Sequence, residues 1–201
     1  MKKLFICFLL LGVIVVNLHA QEGKTKKEIG KFGISFSSLG GDEFLTFASV
    51  SGGASYDSKG FFAFGVNYGR DINKWLEFET GLEYSKHKFV VRPMFPDAER
   101  SKAHTDLLNI PLTVRANFWK YFFANGGLLI DIDLAKKSDL DRQTGVGVML
   151  GVGAKYDFSS GVSVFVNPYV KMHSLLYLTM ESSHERLSNA GVRVGVMYNF
   201  Y

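Results

Sequence analysis

The chain predicts an all-β fold, an eight-stranded antiparallel up-and-down transmembrane β-barrel. Three observations predict it. First, apolar and polar residues alternate with period two, the signature of a strand with one greasy and one polar face. The C-terminal stretch sets Val192, Val194, Val196, Tyr198 and Phe200 against Arg193, Gly195, Met197, Asn199 and Tyr201, close to the roughly 9–11 residues of a tilted bilayer-crossing strand. Second, the connections between such segments alternate long and short, as they do when turns lie on the periplasmic side and longer loops outside. Third, the polar parity is rich in glycine while aromatic residues gather at strand ends, as at Tyr68, Trp75, Tyr84, Trp119, Tyr156 and Phe200.

The elements follow in order. Phe32, Ile34 and Phe36 alternate with Lys31, Gly33 and Ser35 in the first strand, and a polar stretch over about residues 38–60 follows. The second strand has Phe62, Phe64, Val66 and Tyr68 opposite Ala63, Gly65, Asn67 and Gly69, and Asp71-Ile72-Asn73-Lys74 is a tight turn. Leu76, Phe78, Thr80, Leu82 and Tyr84 oppose Glu77, Glu79, Gly81, Glu83 and Ser85 in the third strand, before a long loop over about 87–104. The fourth sets Leu108, Ile110, Leu112, Val114, Ala116 and Phe118 against Asn109, Pro111, Thr113, Arg115 and Asn117; a short turn near Trp119-Lys120 leads on. In the fifth, Phe122, Ala124, Leu128, Ile130 and Ile132 face away from Asn125, Gly127, Asp131 and Asp133, and residues 135–143 form a charged loop. The sixth opposes Val146, Val148, Leu150, Val152, Ala154 and Tyr156 to Gly145, Gly147, Gly151, Gly153 and Lys155, with a short turn over 157–161. Val162, Val164, Val166, Val170 and Met172 oppose Ser163, Phe165, Asn167, Tyr169, Lys171 and His173 in the seventh; a polar loop over about 174–187 precedes the eighth. Pro111 and Pro168 lie inside strands, where a missing N–H interrupts a ladder, so either a bulge relieves each or the strand limits are wrong there.

The N-terminus reads as a cleaved export signal over residues 1–20. Lys2 and Lys3 form a basic start, residues 4–16 an apolar run, and Ala20-Gln21 the boundary. An uncleaved membrane helix is the alternative, disfavoured by the short run and the polar residues 21–28 that follow. Residues 21–201 then form one barrel domain. The single cysteine, Cys7, lies inside the signal, so the mature chain has no disulfide framework. Loss of the signal removes two of the +4 formal charges, and nothing marks a nucleic-acid surface.

Alternation alone does not say which face is inside. A soluble lipocalin-like barrel would turn the apolar parity inward, and a β-sandwich is a further possibility. Small residues on the polar parity suit a crowded interior, and an eight-stranded barrel holds little more than its own side chains, so the apolar parity would overfill it. The polar parity carries Glu77, Glu79, Glu83, Asp131 and Asp133, balanced by Lys31, Arg115, Lys155, Lys171 and Arg193. Charges walled in must be paired, so these residues form either a plug of ion pairs or a narrow path for small solutes.

Four features together resemble the PorT-like outer-membrane β-barrel family. They are the signal ending in Ala20-Gln21, the run from Leu76 through Glu77-Phe78-Glu79-Thr80-Gly81-Leu82-Glu83 to Tyr84, the segment Asn109-Ile110-Pro111-Leu112, and the terminus Tyr198-Asn199-Phe200-Tyr201. The resemblance implies an outer-membrane barrel that tolerates proline at the Pro111 place. It implies no particular activity, since one fold carries many functions.

No constellation carries chemistry on its own. A lipid-modifying barrel enzyme needs a nucleophile, a base and an orienting group in reach. His173-Ser174 are neighbours expected to point to opposite faces, Ser183-His184-Glu185 has no evident partner, and His104-Thr105-Asp106 sits at a loop rim. Asp131 with Asp133 and Asp139 with Asp141 are carboxylate pairs short of a calcium set. The chain is therefore read as no enzyme, with no cofactor and no metal. The outer loops are the expected working surface. Phe44 and Phe47 in the first, and Phe95 beside Lys88 and Arg92 in the second, offer apolar groups among cations, in loops or in strand extensions above the membrane. The expected partners are outer-membrane lipids and lipopolysaccharide, the barrel-assembly machinery through the C-terminal strand, and a protein at the outer loops. The expected place is the bacterial outer membrane, as a monomer.

Overall fold

Runs of β-branched and aromatic residues fit a pleated, half-buried surface, and closing the sheet pairs backbone groups that lipid cannot satisfy. The computed structural model describes residues 30–46, 55–92, 101–134, 143–177 and 185–200. They form β1 (Gly30–Thr46), β2 (Ser55–Asp71), β3 (Leu76–Arg92), β4 (Ser101–Phe118), β5 (Phe122–Asp133), β6 (Gly145–Asp157), β7 (Val162–Tyr177) and β8 (Glu185–Phe200). Neighbours pair antiparallel in chain order, and β1 pairs β8 from Gly30↔Phe200 to Thr46↔Glu185, which closes the barrel and excludes a sandwich. The signal residues 1–20, Phe47 and Phe95 lie outside the described residues.

The apolar parity faces out. Leu150 is 69% exposed and Leu82 55%, while Glu77 and Asn109 on the opposite parity are 0% exposed. Such a band of bare aliphatics around a closed sheet fits lipid and not water, which removes the lipocalin-like alternative. The short connections lie at one end. Asn73 Oδ1 accepts hydrogen bonds from the amides of Trp75 (3.0 Å) and Leu76 (2.8 Å), fixing the β2–β3 turn. Gly161 holds φ +84° in the β6–β7 turn, a conformation that glycine adopts without strain. Exposed Trp75, Trp119, Tyr121 and Phe158 ring this end, as interfacial aromatics do.

At the other end the strands run well past the apolar belt. The expected loops over 38–60 and 87–104 are mostly strand: β1 continues to Thr46, β2 begins at Ser55, β3 reaches Arg92 and β4 begins at Ser101. The sequence pattern lost them because the outward face there is no longer uniformly apolar, while apolar residues such as Phe89 and Ala103 turn inward. Three irregularities redirect side chains there. A bulge at Ser38, between the pairs Ser37↔Arg193 and Leu39↔Val192, switches the inward parity of β1, turning Leu39 outward and Asp42 inward. A second lies between Ser58 and Phe61 of β2. The third lies in β6–β7, where the register jumps from Val148↔Met172 to Val146↔Leu176 and Ser174 takes φ +49°.

Both prolines lie within strands, and neither carries a bulge. Around Pro111, β3–β4 keeps one register from Thr80↔Leu112 to Glu83↔Asn109 and only omits the intervening pairs. Around Pro168, β6–β7 likewise keeps register from Gly151↔Tyr169 to Ala154↔Val166. There the Asn167 side-chain amide donates to the Val152 carbonyl at 2.9 Å, supplying the donor that proline lacks on that edge.

Candidate functional site

The lumen is filled from end to end by side chains from the polar parity. At the short-turn mouth, Lys31 Nζ lies 2.8 Å from Asp71 Oδ1 and 3.0 Å from Glu77 Oε2. Glu77 continues to Arg115 (3.5 Å), Arg115 to Glu79, and Glu79 Oε1 to Arg193 Nη1 at 2.9 Å. Arg193 Nη2 donates to Asn167 Oδ1 at 3.1 Å, and the Asn167 amide donates to Asn125 Oδ1, also at 3.1 Å. Lys171 pairs with Glu83 one layer further out. These links set four cations against four carboxylates, of which Asp71 stands exposed at the mouth. Aromatic rings pack over its cations: Arg115 Cζ is 4.5 Å from the Phe123 centroid, and Lys171 Nζ is 4.6 Å from that of Tyr169. Glycine makes room, since a Cβ on Gly151 would stand 2.7 Å from both the Asn125 and Asn167 side-chain amides.

Beyond Lys171–Glu83 lies a second polar layer, of which the sequence reading placed Ser85, Asn109, Asp131 and His173 on the polar parity but missed Asp42 and His87. His87 Nδ1 lies 2.9 Å from Asp42 Oδ1, and its Nε2 lies 3.1 Å from Ser85 Oγ. The Ser85 hydroxyl donates to Asn109 Oδ1 at 3.2 Å, and Asn109 Nδ2 donates to Asp131 Oδ1 at 2.7 Å. Asp131 also holds His173 Nδ1 at 3.0 Å and the Ser174 amide at 2.9 Å. The bulge in β7 corrects one expectation: His173 and Ser174 are both buried rather than pointing to opposite faces. They still do not form a pair, because His173 Nδ1 goes to Asp131. The order Asp42–His87–Ser85 resembles a nucleophile relay, yet the Ser85 proton is aimed at Asn109 and the hydroxyl is buried. The parity of β3 pointed to Ser85 and, extended by two residues, to His87. Asp42 was hidden by the bulge at Ser38.

An apolar layer fills the lumen toward the extended end, with Phe89, Ala103, Leu107 and Leu187 buried together and Phe44 and Val91 against them. Phe44, expected on the outer-loop surface, therefore packs inside, 4.9 Å from the Phe89 ring. Lys88 is exposed on the outward face of β3, and Arg92 ends that strand. Two of the expected interior charges, on the same inward parity, stand near the two ends of the lumen. Asp133 accepts the Gln143 amide at 3.1 Å where β5 ends, and Lys155 lies 3.4 Å from Asp157 near the opposite mouth. The other eight are buried deeper in the lumen. Among the described residues no cluster of three His, Cys, Asp or Glu side chains is placed to hold a metal ion.

A closed eight-stranded barrel with a lipid-facing belt and a paired lumen defines a class, the small outer-membrane β-barrels. Residues 6–200 match the model of the outer membrane protein beta-barrel domain, and the chain belongs to that family and to the bacterial outer membrane. No curated protein matches it significantly in sequence. Among solved structures it is similar to the outer membrane protein AlkL in lipid bilayers, at 12% identity and TM-score 0.55, covering 92% of this chain and 96% of that one. It also matches the N-terminal barrel domain of Pseudomonas aeruginosa OprF (15% identity, TM-score 0.41, 85% of this chain and 99% of that one). The translocator domain of the Neisseria meningitidis autotransporter NalP matches at 12% identity and TM-score 0.40, over 98% and 96%. The AlkL likeness speaks for the fold alone.

Proposed function

We propose that this protein is a non-enzymatic component of the bacterial outer membrane, closed to solute flow, that serves envelope integrity or assembly through the outer extension of its strands. The observation that carries this reading is the unbroken sequence of paired charges from Asp71 to Asn167 across the lumen, followed by the Phe44–Phe89–Leu107–Leu187 layer. A paired, desolvated lumen leaves ions no hydrated path, and breaking any link exposes an uncompensated charge at a cost of several kcal/mol. The burial of Ser85 and the hydrogen bond its hydroxyl gives to Asn109 support the non-enzymatic part. The PorT-like character, export through a signal removed after Ala20, a monomeric state and delivery by the barrel-assembly machinery through β8 belong to the same proposal.

The rival is a narrow small-solute channel, favoured by the second polar layer around His87 and His173. Planar-bilayer recording separates the two. The folded chain is expected to give no discrete conductance steps, whereas Phe89→Ala combined with Glu79→Ala is expected to give them. Regular unitary steps from the unaltered protein would establish the channel.

A further inference from the structure

The β2–β3–β4 sheet rises beyond the lipid belt, and the register orders its outward side chains into rows. Phe64, Tyr84 and Leu108 form the last greasy row. Above it come Phe62, Lys86 and Asp106, then Lys88 beside His104 with Lys59 opposite in the β2 bulge, then Asp57, Val90 and Lys102. Four residues of strand separate Lys88 from Tyr84. At about 3.4 Å per residue and a tilt of roughly 40°, Lys88 stands about 10 Å above the Tyr84 level. That is the depth at which lipid phosphates lie, just outside the hydrocarbon.

The charges on this face are unequal. Asp106 is already engaged: it lies 3.5 Å from Lys86 Nζ, accepts the Tyr84 hydroxyl at 3.1 Å, and lies 3.9 Å from His104 Nε2. Asp57 also has a partner. Lys59, Lys88 and Lys102 are exposed and form no ion pair among the described residues. Three unpaired ammonium groups share one face and sit directly above an apolar wall. This arrangement complements an amphiphile whose anionic groups lie above its acyl chains.

We propose that Lys59, Lys88 and Lys102 form a docking surface for the phosphates of an outer-leaflet glycolipid whose acyl chains lie against the Phe64–Tyr84–Leu108 wall below. The inference rests on the orientation in the reading above, with the strand extensions on the outer side. A lysine near an anionic lipid surface is worth about a factor of five in affinity, so removing all three is expected to weaken half-saturation roughly 100-fold.

The test uses the folded protein in mixed micelles, titrated with labelled bisphosphorylated lipid A and followed by fluorescence anisotropy. The Lys59→Gln, Lys88→Gln, Lys102→Gln variant is expected to lose most of the binding. Lys74→Gln with Lys120→Gln, at the opposite end, is expected to keep it, and the dephosphorylated lipid is expected to bind weakly to all. Heat-modifiability of each variant confirms the fold, which these exposed positions do not support. The proposal is overturned if the triple variant binds like the unaltered protein. It is equally overturned if inorganic phosphate displaces the lipid, or if phosphatidylglycerol binds as tightly per charge. Conductance of the same preparations reports on the plug independently, so failure of the docking surface and failure of the closed-barrel reading give different results.

Discussion

Glu79 is the hinge of the lumen at the scale of single residues. Its carboxylate lies between two guanidinium groups, Arg115 on β4 and Arg193 on β8, and it is fully buried. Removing it leaves Arg115 with Glu77 at 3.5 Å and Arg193 with the Asn167 side-chain carbonyl oxygen. Breaking a buried pair from one side costs about 3–5 kcal/mol. Glu79→Ala is therefore expected to lower unfolding stability by about that amount, measured as the urea midpoint of refolded protein in phosphatidylcholine vesicles. A loss under 1 kcal/mol would mean that water reaches the lumen and screens the arginines. Glu79→Gln is expected to fall between, since an amide oxygen still accepts from one guanidinium.

At the scale of elements, the prolines show how a closed sheet absorbs a missing donor without a bulge. Asn167 sits beside Pro168 and gives its side-chain amide to Val152 O, while its own carbonyl oxygen takes Arg193. Asn167→Ala is expected to destabilise the barrel by about 1–3 kcal/mol, the cost of leaving a buried acceptor unpaired. Amide exchange at β6–β7 should rise with it, while β2–β3 keeps its protection; uniform acceleration would refute a local role. Much of this architecture was legible beforehand. All eight strands lie where alternation placed them, and the inward side of the charged residues follows from parity alone. The strand extensions were not legible, because no lipid shapes their composition. Asp42 was not legible either, since a single inserted residue at Ser38 inverts the parity that would have located it. His173 and Ser174 failed for the same reason, a bulge that no residue type announces. Phe44 was misplaced because a hydrophobic residue in a polar stretch reads as exposed until the strand that carries it is known to continue.

For the molecule as a whole, the two ends differ in chemistry. Both tryptophans of the chain, Trp75 and Trp119, lie at the short-turn end and are 57% and 84% exposed. In vesicles, lipids brominated near the headgroup are expected to quench their fluorescence more strongly than lipids brominated near the chain terminus. Equal quenching would place that end deep in the bilayer or out of it. The paired charges of the lumen bear on how such a barrel is completed. Glu77, Glu79 and Glu83 all stand on β3, whereas the cations that answer them come from β1, β4, β7 and β8. When the first and last strands meet, a slip of one residue would turn lysine and arginine toward lipid and is rejected by hydrophobicity. A slip of two residues would keep every greasy side chain facing lipid, so the bilayer could not detect it. It would carry Lys31 or Arg193 about 7 Å along the strand, away from its carboxylate. The charged filling thus acts as a key for the zip, admitting one alignment from a set that oil and water treat as equal.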